Sequence, residues 1–233
     1  MTQDIANTSV MLLAAGLGKR MHPLTLATPK PLLKVGNLSL IEHHIVRLAN
    51  MGFKHLVINI AYLGEQIRET LGSGEKYHMH ISYSDETADG PLETAGGLAK
   101  ALPQIMSEHF VCINADIFTD YNFTDLLNVN LVKQTQGHLV LVKNPTHNPD
   151  GDFSIGKNNL LTERLKQQGF TYSGIAFYHK ALFRSVSSDK QGLAPLFHKW
   201  LGQKRLSASL YQGQWTDVGT PERLDQLNAE LQL

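Results

Sequence analysis

The chain carries one cysteine, no excess of charge of either sign and no long apolar run. A single cysteine excludes a disulfide framework, and Cys112, set in the apolar stretch Phe110-Val111-Cys112-Ile113, is expected to be a core thiol. The 21 basic side chains are matched by 21 acidic ones. With no Lys/Arg cluster either, the electrostatic footprint of a nucleic-acid-binding protein is missing. The longest uninterrupted apolar run, residues 10–15, falls far short of the roughly 18 residues that a membrane span requires. The polar opening, residues 2–9, lacks the basic start and apolar centre of a signal peptide, so the expected location is the cytoplasm. The eleven histidines show no metal-ligand spacing and are expected to be structural or exposed, and no Ser-His-Asp arrangement suggests itself.

What is present is a rhythm of strand-length apolar runs and helical patterns, as in βαβ units that feed a parallel sheet. Strands are expected at 10–13, 56–60, 80–83, 110–114 and 138–142. Helices are expected at 40–51, 63–71, 94–102 and 124–134, three of them ended by Gly52, Gly72 and Pro103. After Asn144 the rhythm loosens. Extended runs at 151–155 and 172–178, a helix at 193–201, a short strand near 207–211, the segment 215–219 and a closing helix at 221–231 follow. With no repeat, linker or low-complexity tract, the chain reads as one domain, its halves divided near residues 144 and 145.

The most informative segment is residues 12–33, LLAAGLGKRMHPLTLATPKPLL. A buried strand runs into Gly16 and Gly18, whose backbone N–H groups could approach an anion closely, and then into Lys19 and Arg20. The dinucleotide fingerprint is excluded: Met21 stands where its third glycine belongs, and Pro23, Pro29 and Pro31 oppose the helix it needs. The P-loop is excluded too, because Arg20 rather than Ser or Thr follows the lysine. A long loop remains, with Lys30 held between two prolines at its far end, and three cations on one loop suit several phosphates. Asp116, just past the strand 110–114, should lie at the carboxyl edge of the sheet, where a carboxylate near phosphates suits a hard dication.

The pattern Leu-x-Ala-Gly-x-Gly-x-Arg-Met-x-Pro-Leu-Thr, followed by Pro-Lys-Pro-Leu, resembles the signature of the sugar-phosphate nucleotidyltransferases, which join an NTP to a sugar 1-phosphate. The likeness runs from about Val10 to about Gln226. It implies an α/β fold, a Rossmann-like three-layer sandwich around a central, mostly parallel sheet, with residues of about 8–144 forming the nucleotide-binding half and about 145–233 the sugar-binding half.

The resemblance also implies roles. Arg20, Lys30 and Asp116 would be catalytic; Ala14, Ala15, Gly16, Gly18, Lys19, Arg20 and Lys30 would bind the nucleotide, with Glu86 accepting the N3–H of the base. Asp116 and the Asp217 of Trp-x-Asp-x-Gly-Thr would jointly hold Mg²⁺, although Ala115 stands where relatives carry glycine. Glu93, whose carboxylate can accept from vicinal hydroxyls, and Thr94, Asn114, Asp152, Ser173 and Gly174 would border the sugar phosphate. The short chain, without a β-helix extension, is most similar to the branch that uses UTP and N-acetylmuramic acid α-1-phosphate in cell-wall recycling. Thymidylyl transfer to glucose 1-phosphate, guanylyl transfer to mannose 1-phosphate and a non-catalytic sugar-nucleotide-binding regulator are the alternatives. The expected partners are UTP and a sugar 1-phosphate, without nucleic acid or membrane, for a monomer or weak homo-oligomer.

Overall fold

The structure, a computed structural model, describes residues 4–129, 131, 135–165 and 169–231. In chain order, β1 (Ser9–Leu13) opens into the long glycine-bearing loop, which ends in the hairpin β2 (Lys34–Val35) and β3 (Leu38–Ser39). Then come α1 (Leu40–Asn50), β4 (His55–Ile60), α2 (Gly64–Leu71), β5 (His80–Asp85), α3 (Glu93–Ala101), β6 (His109–Asn114) and β7 (Ile117–Thr119). The second half supplies β8 (Gly137–Val142), β9 (Phe153–Ile155), β10 (Leu161–Glu163), β11 (Thr171–His179), α4 (Ala194–Gly202), β12 (Leu206–Tyr211), β13 (Trp215–Asp217) and α5 (Pro221–Glu230).

Seven strands form the central sheet in the order β12-β8-β11-β6-β1-β4-β5. All neighbours are parallel except β11, which runs antiparallel to both β6 and β8. Period-two alternation sends successive side chains to opposite faces. Val10, Leu12, Ile58 and Ile113 pack with α1 and α2, while Met11, Val57, Phe110 and Cys112 pack with α3 and α4. This is the three-layer sandwich that the sequence implied. Being covered on both sides explains why these strands are apolar throughout rather than alternating. A third cluster ties Met21 and Leu33 of the long loop to Val218, Leu224 and Leu227, so the end of the chain braces the loop.

Local sequence accounts for the helix ends. A capping box starts α1: Ser39 accepts from the third helical residue, and Glu42 reaches back to the Ser39 N–H at 2.9 Å. Burial works against the ionised Glu42, but hydrogen bonds from Ser39, Tyr77 and Lys34 prevail and hold its pKa near 2. Cys112 is buried and its thiol is pushed up by desolvation, as a core residue requires. One expected helix differs. Residues 123–128 make a 3-10 turn, with the Asn122 side chain accepting from Thr124, and residues 130 and 132–134 of the expected span lie outside the described residues. No described helix is long and apolar enough to cross a membrane.

Candidate active site

The parallel strands β1, β4, β5 and β6 end on one edge, and above it opens a pocket of about 400 Å³. Its wall gathers Ala14, Ala15, Gly16, Lys30, Glu86, Glu93, Thr94, Asn114 and Asp116 of the residues anticipated from sequence. Asn59, Pro91 and Lys190 join them.

The end of the pocket expected to take phosphate is built by the long loop. Gly18 adopts a left-handed conformation (φ 61°), and a Cβ there would stand 3.0 Å from Thr25 Cγ2 and 3.3 Å from Lys30 Cβ. Glycine is thus required both by the turn and by the close packing of the loop on itself. The Thr25 hydroxyl donates to the Gly18 carbonyl at 2.8 Å and fixes that turn. Lys30, in a 3-10 turn entered from extended Pro29, is buried apart from its tip, and its ammonium donates to Asp116 Oδ2 at 2.6 Å. Lys19 and Arg20 follow Gly18 in a single exposed turn beside the pocket wall rather than on it.

Asp217 arrives from a hundred residues downstream by a backbone device. Strand β13 pairs antiparallel with β7, so Asp217 lies opposite Ile117, and the next residue, Val218, donates its N–H to the Asp116 carbonyl at 2.9 Å. The two aspartates therefore sit at one end of a two-stranded ribbon. Arg223 donates to Asp217 Oδ2, and His147 Nε2 lies 3.1 Å from Oδ1. Neither partner was anticipated from sequence; Arg223 belongs to α5 and His147 to the loop after β8. Ala115, where a glycine was expected, is fully buried and donates its N–H to Leu13, so its methyl is absorbed by the core.

Glu86, expected to read the base, is part of the pocket wall. It is wholly buried there, one carboxylate oxygen accepting from Asn59 Nδ2 at 2.7 Å and the other from the Leu92 N–H at 2.8 Å. Burial raises its pKa against these two donors. Asn59 in turn accepts the Ala14 N–H at 2.8 Å, so the relay Glu86, Asn59, Ala14 fixes the first residue of the loop. Space for the relay comes from Gly97, where a Cβ would lie 2.6 Å from Glu86 Oε1.

At the other end Glu93 begins α3 with a positive φ of 59°, a conformation that costs a non-glycine residue of order 1–3 kcal/mol and places its exposed side chain in the pocket. Asn114 stands beside it on the wall, against Gly174 (φ 81°), where a Cβ would meet the Asn114 amide at 2.8 Å. Gly174 thus supports Asn114 from behind. Ser173 lies in the same bulge of β11, but its hydroxyl is buried and donates to the Val140 carbonyl at 2.7 Å. Asp152 is also turned elsewhere, accepting from the Tyr172 N–H at 2.8 Å and from Asn148 at 3.1 Å. Ser173 and Asp152 therefore hold the framework and lie off the pocket wall.

The nucleotidyl transferase family model matches residues 9–154, from β1 to β9. The chain is 43% identical over 223 residues to N-acetylmuramate alpha-1-phosphate uridylyltransferase of Neisseria meningitidis serogroup B, a match that covers 94% of this chain and 96% of that one. It is 37% identical to mannose-1-phosphate guanyltransferase of Saccharomyces cerevisiae, of which it covers 61%. Among solved structures, HddC from Yersinia pseudotuberculosis complexed with GMP-PN shares the fold, with a TM-score of 0.79 and 19% identity over 96% of this chain and 99% of that one. The mostly parallel sandwich, the glycine loop at its carboxyl edge and these matches agree, and the chain belongs to the nucleotidyl transferase family.

Proposed function

We propose that the protein transfers the uridylyl group of UTP to N-acetylmuramic acid α-1-phosphate and releases pyrophosphate. The observation that carries the chemistry is the contact between buried Lys30 and Asp116 in a pocket lined by the glycine loop, with the backbone of Asp217 paired next to Asp116 through the β7–β13 ribbon. The choice of substrates rests on the near full-length likeness to the meningococcal uridylyltransferase, whereas the yeast guanyltransferase is matched over 61% of its length.

One in-line displacement suffices. The second pKa of a phosphomonoester is about 6, so the attacking sugar phosphate is mostly dianionic at neutral pH and needs no general base. The work of the protein is to align two anions that repel each other and to offset charge at the α-phosphorus. Lys30 has little freedom to lose, being packed under the loop and steered by Asp116, and bridges the α-phosphate and the incoming phosphate. Arg20, exposed on its short turn, swings to the triphosphate and forks onto its oxygens as pyrophosphate departs. Backbone groups of Ala14, whose N–H is held by Asn59, and of the adjoining Ala15 would face the base.

Asp116 and Asp217 suit Mg²⁺. Both offer hard carboxylate oxygens. That fits an ion that takes one or two carboxylates and draws its other ligands from phosphate and water. When bound it would act as a Lewis acid and template for the phosphates. Arg223 and His147 keep the Asp217 carboxylate oriented.

A matrix of nucleoside triphosphates against sugar 1-phosphates with Mg²⁺, read as pyrophosphate release, tests the proposal. Strong signal confined to UTP with the muramic acid derivative supports it. Preference for dTTP with glucose 1-phosphate or GTP with mannose 1-phosphate refutes the substrate assignment, and silence across the matrix would mark a non-catalytic binder.

A further inference from the structure

Five charged residues line the pocket: Lys30, Glu86, Glu93, Asp116 and Lys190. Lys30 and Asp116 hold each other, and both oxygens of Glu86 are taken. Glu93 and Lys190 remain. Lys190 is exposed, and among the described residues it enters no ion pair.

Its placement is not that of a loose surface lysine. The residues on either side are pinned: Gln191 accepts the N–H groups of Ala95 and Gly96 at 3.1 and 3.2 Å and donates its own to the Leu92 carbonyl at 3.0 Å. Asp189 turns back on Ser187, whose hydroxyl lies 2.6 Å from Asp189 Oδ2. Gly96 makes this approach possible, since a Cβ there would stand 2.3 Å from the Asp189 carbonyl oxygen. Next along, a Cβ at Gly192 would lie 3.2 Å from Glu93 Oε2. The backbone of Lys190 is thus clamped over the first turn of α3, at the Glu93 and Thr94 end of the pocket. Gln191 occupies the N–H groups of Ala95 and Gly96, so α3 cannot offer those two to an anion. A negative group entering that end meets Glu93, which repels it, and Lys190, which attracts it.

We propose that Lys190 is a specificity-determining residue that pairs with a carboxylate carried by the sugar, so that the site selects an acidic sugar 1-phosphate over its neutral parent. The inference rests on the function proposed above. N-acetylmuramic acid is N-acetylglucosamine with a lactyl ether, and that carboxylate is the chemical difference between them. Glu93 accepts hydroxyl hydrogen bonds from the ring, and Lys190 offsets its charge and receives the acid. A hydrogen bond between charged groups at a partly enclosed site corresponds to roughly 10- to 100-fold in preference.

The test compares kcat/KM for N-acetylmuramic acid 1-phosphate with that for N-acetylglucosamine 1-phosphate in the wild type, Lys190→Met and Lys190→Arg, with urea midpoints recorded to establish that each variant is folded. The expected result is a preference for the acidic sugar that falls roughly 10- to 100-fold in Lys190→Met and is largely recovered in Lys190→Arg. An unchanged preference ratio in a folded Lys190→Met overturns the inference while leaving the proposed reaction standing. A wild type that ignores the acidic sugar overturns the proposed reaction, and the role of Lys190 falls with it.

Discussion

Replacing Gly97 by alanine sets two physical expectations against each other. Alanine in a helix interior is favoured over glycine by about 1 kcal/mol, so propensity alone forecasts a more stable protein. The structure forecasts the opposite. The new methyl would stand 2.6 Å from Glu86 Oε1 and 2.9 Å from Asn59 Nδ2, and both side chains are buried with nowhere to retreat. Overpacking of this kind costs about 1–3 kcal/mol, and a lost hydrogen bond to a buried carboxylate about 1.5–3 kcal/mol. Subtracting the gain in propensity leaves a net loss of about 1.5–5 kcal/mol, to be read as a lower urea midpoint at unchanged slope. Because Asn59 also holds Ala14, the KM for the nucleotide should rise more than kcat falls. Gly202→Ala is the control. It closes α4 with no atom within 4 Å of the added Cβ, so alanine there should be neutral or stabilising by a few tenths of a kcal/mol up to about 1. If Gly97→Ala unfolds at the same or higher urea than the parent, the Glu86–Asn59–Ala14 relay does not constrain the pocket and the reasoning fails.

Asp116→Asn and Lys30→Met should each fold and lower kcat at least about 100-fold, the typical cost of removing one preorganised charge; turnover near the parental rate in either variant removes that residue from the chemistry. Ser173→Ala should cost about 1–2 kcal/mol of stability while leaving the KM values of both substrates alone, because its hydroxyl is spent on the Val140 carbonyl and the Ile175 N–H; a large rise in sugar KM would return it to the pocket. His138 is held between the hydroxyls of Ser207 and Ser209, and burial lowers its pKa from 6.5 to about 4. Between pH 6.5 and 4 the unfolded chain binds a proton that the folded protein refuses, so stability should fall with pH across that window, by on the order of 3 kcal/mol at its lower end. His138→Asn should flatten the slope in pH-dependent urea titrations, and an unaltered slope would mean that the ring is not the group responsible.

Much of the sandwich was legible because its signals are local. Apolar runs of strand length set the parallel strands, and Gly72, with φ 61°, ends α2 where the pattern stops. The direction of β11 was not legible, since an apolar run at 172–178 reads the same whether its neighbours run with it or against it. Gly18, Lys30 and Asp116 stood out by residue type, and the structure brings Lys30 and Asp116 together on the pocket wall with Gly18 packed against Lys30. The surroundings of Glu86 were not legible, because an acid beside a pocket reads the same in sequence whether its oxygens are open or taken, and here Asn59 and Leu92 bond to both. His147 and Arg223 left no mark, being 76 residues apart in sequence and joined only through Asp217. Lys190 likewise gains meaning only once Gly96 lets the chain close over α3.

The β7–β13 ribbon separates chemistry from variation. The backbone spacing of residues 116 and 217 is set by a three-residue ladder of main-chain bonds, and the chain that loops out from residue 120 to residue 214 adds His147 beside Asp217. On the function proposed above, exchanges in that excursion that spare His147 can reshape the surroundings of the acceptor while the ladder keeps the backbones of the two aspartates together. A single catalytic geometry can in this way be carried unchanged through many choices of acceptor.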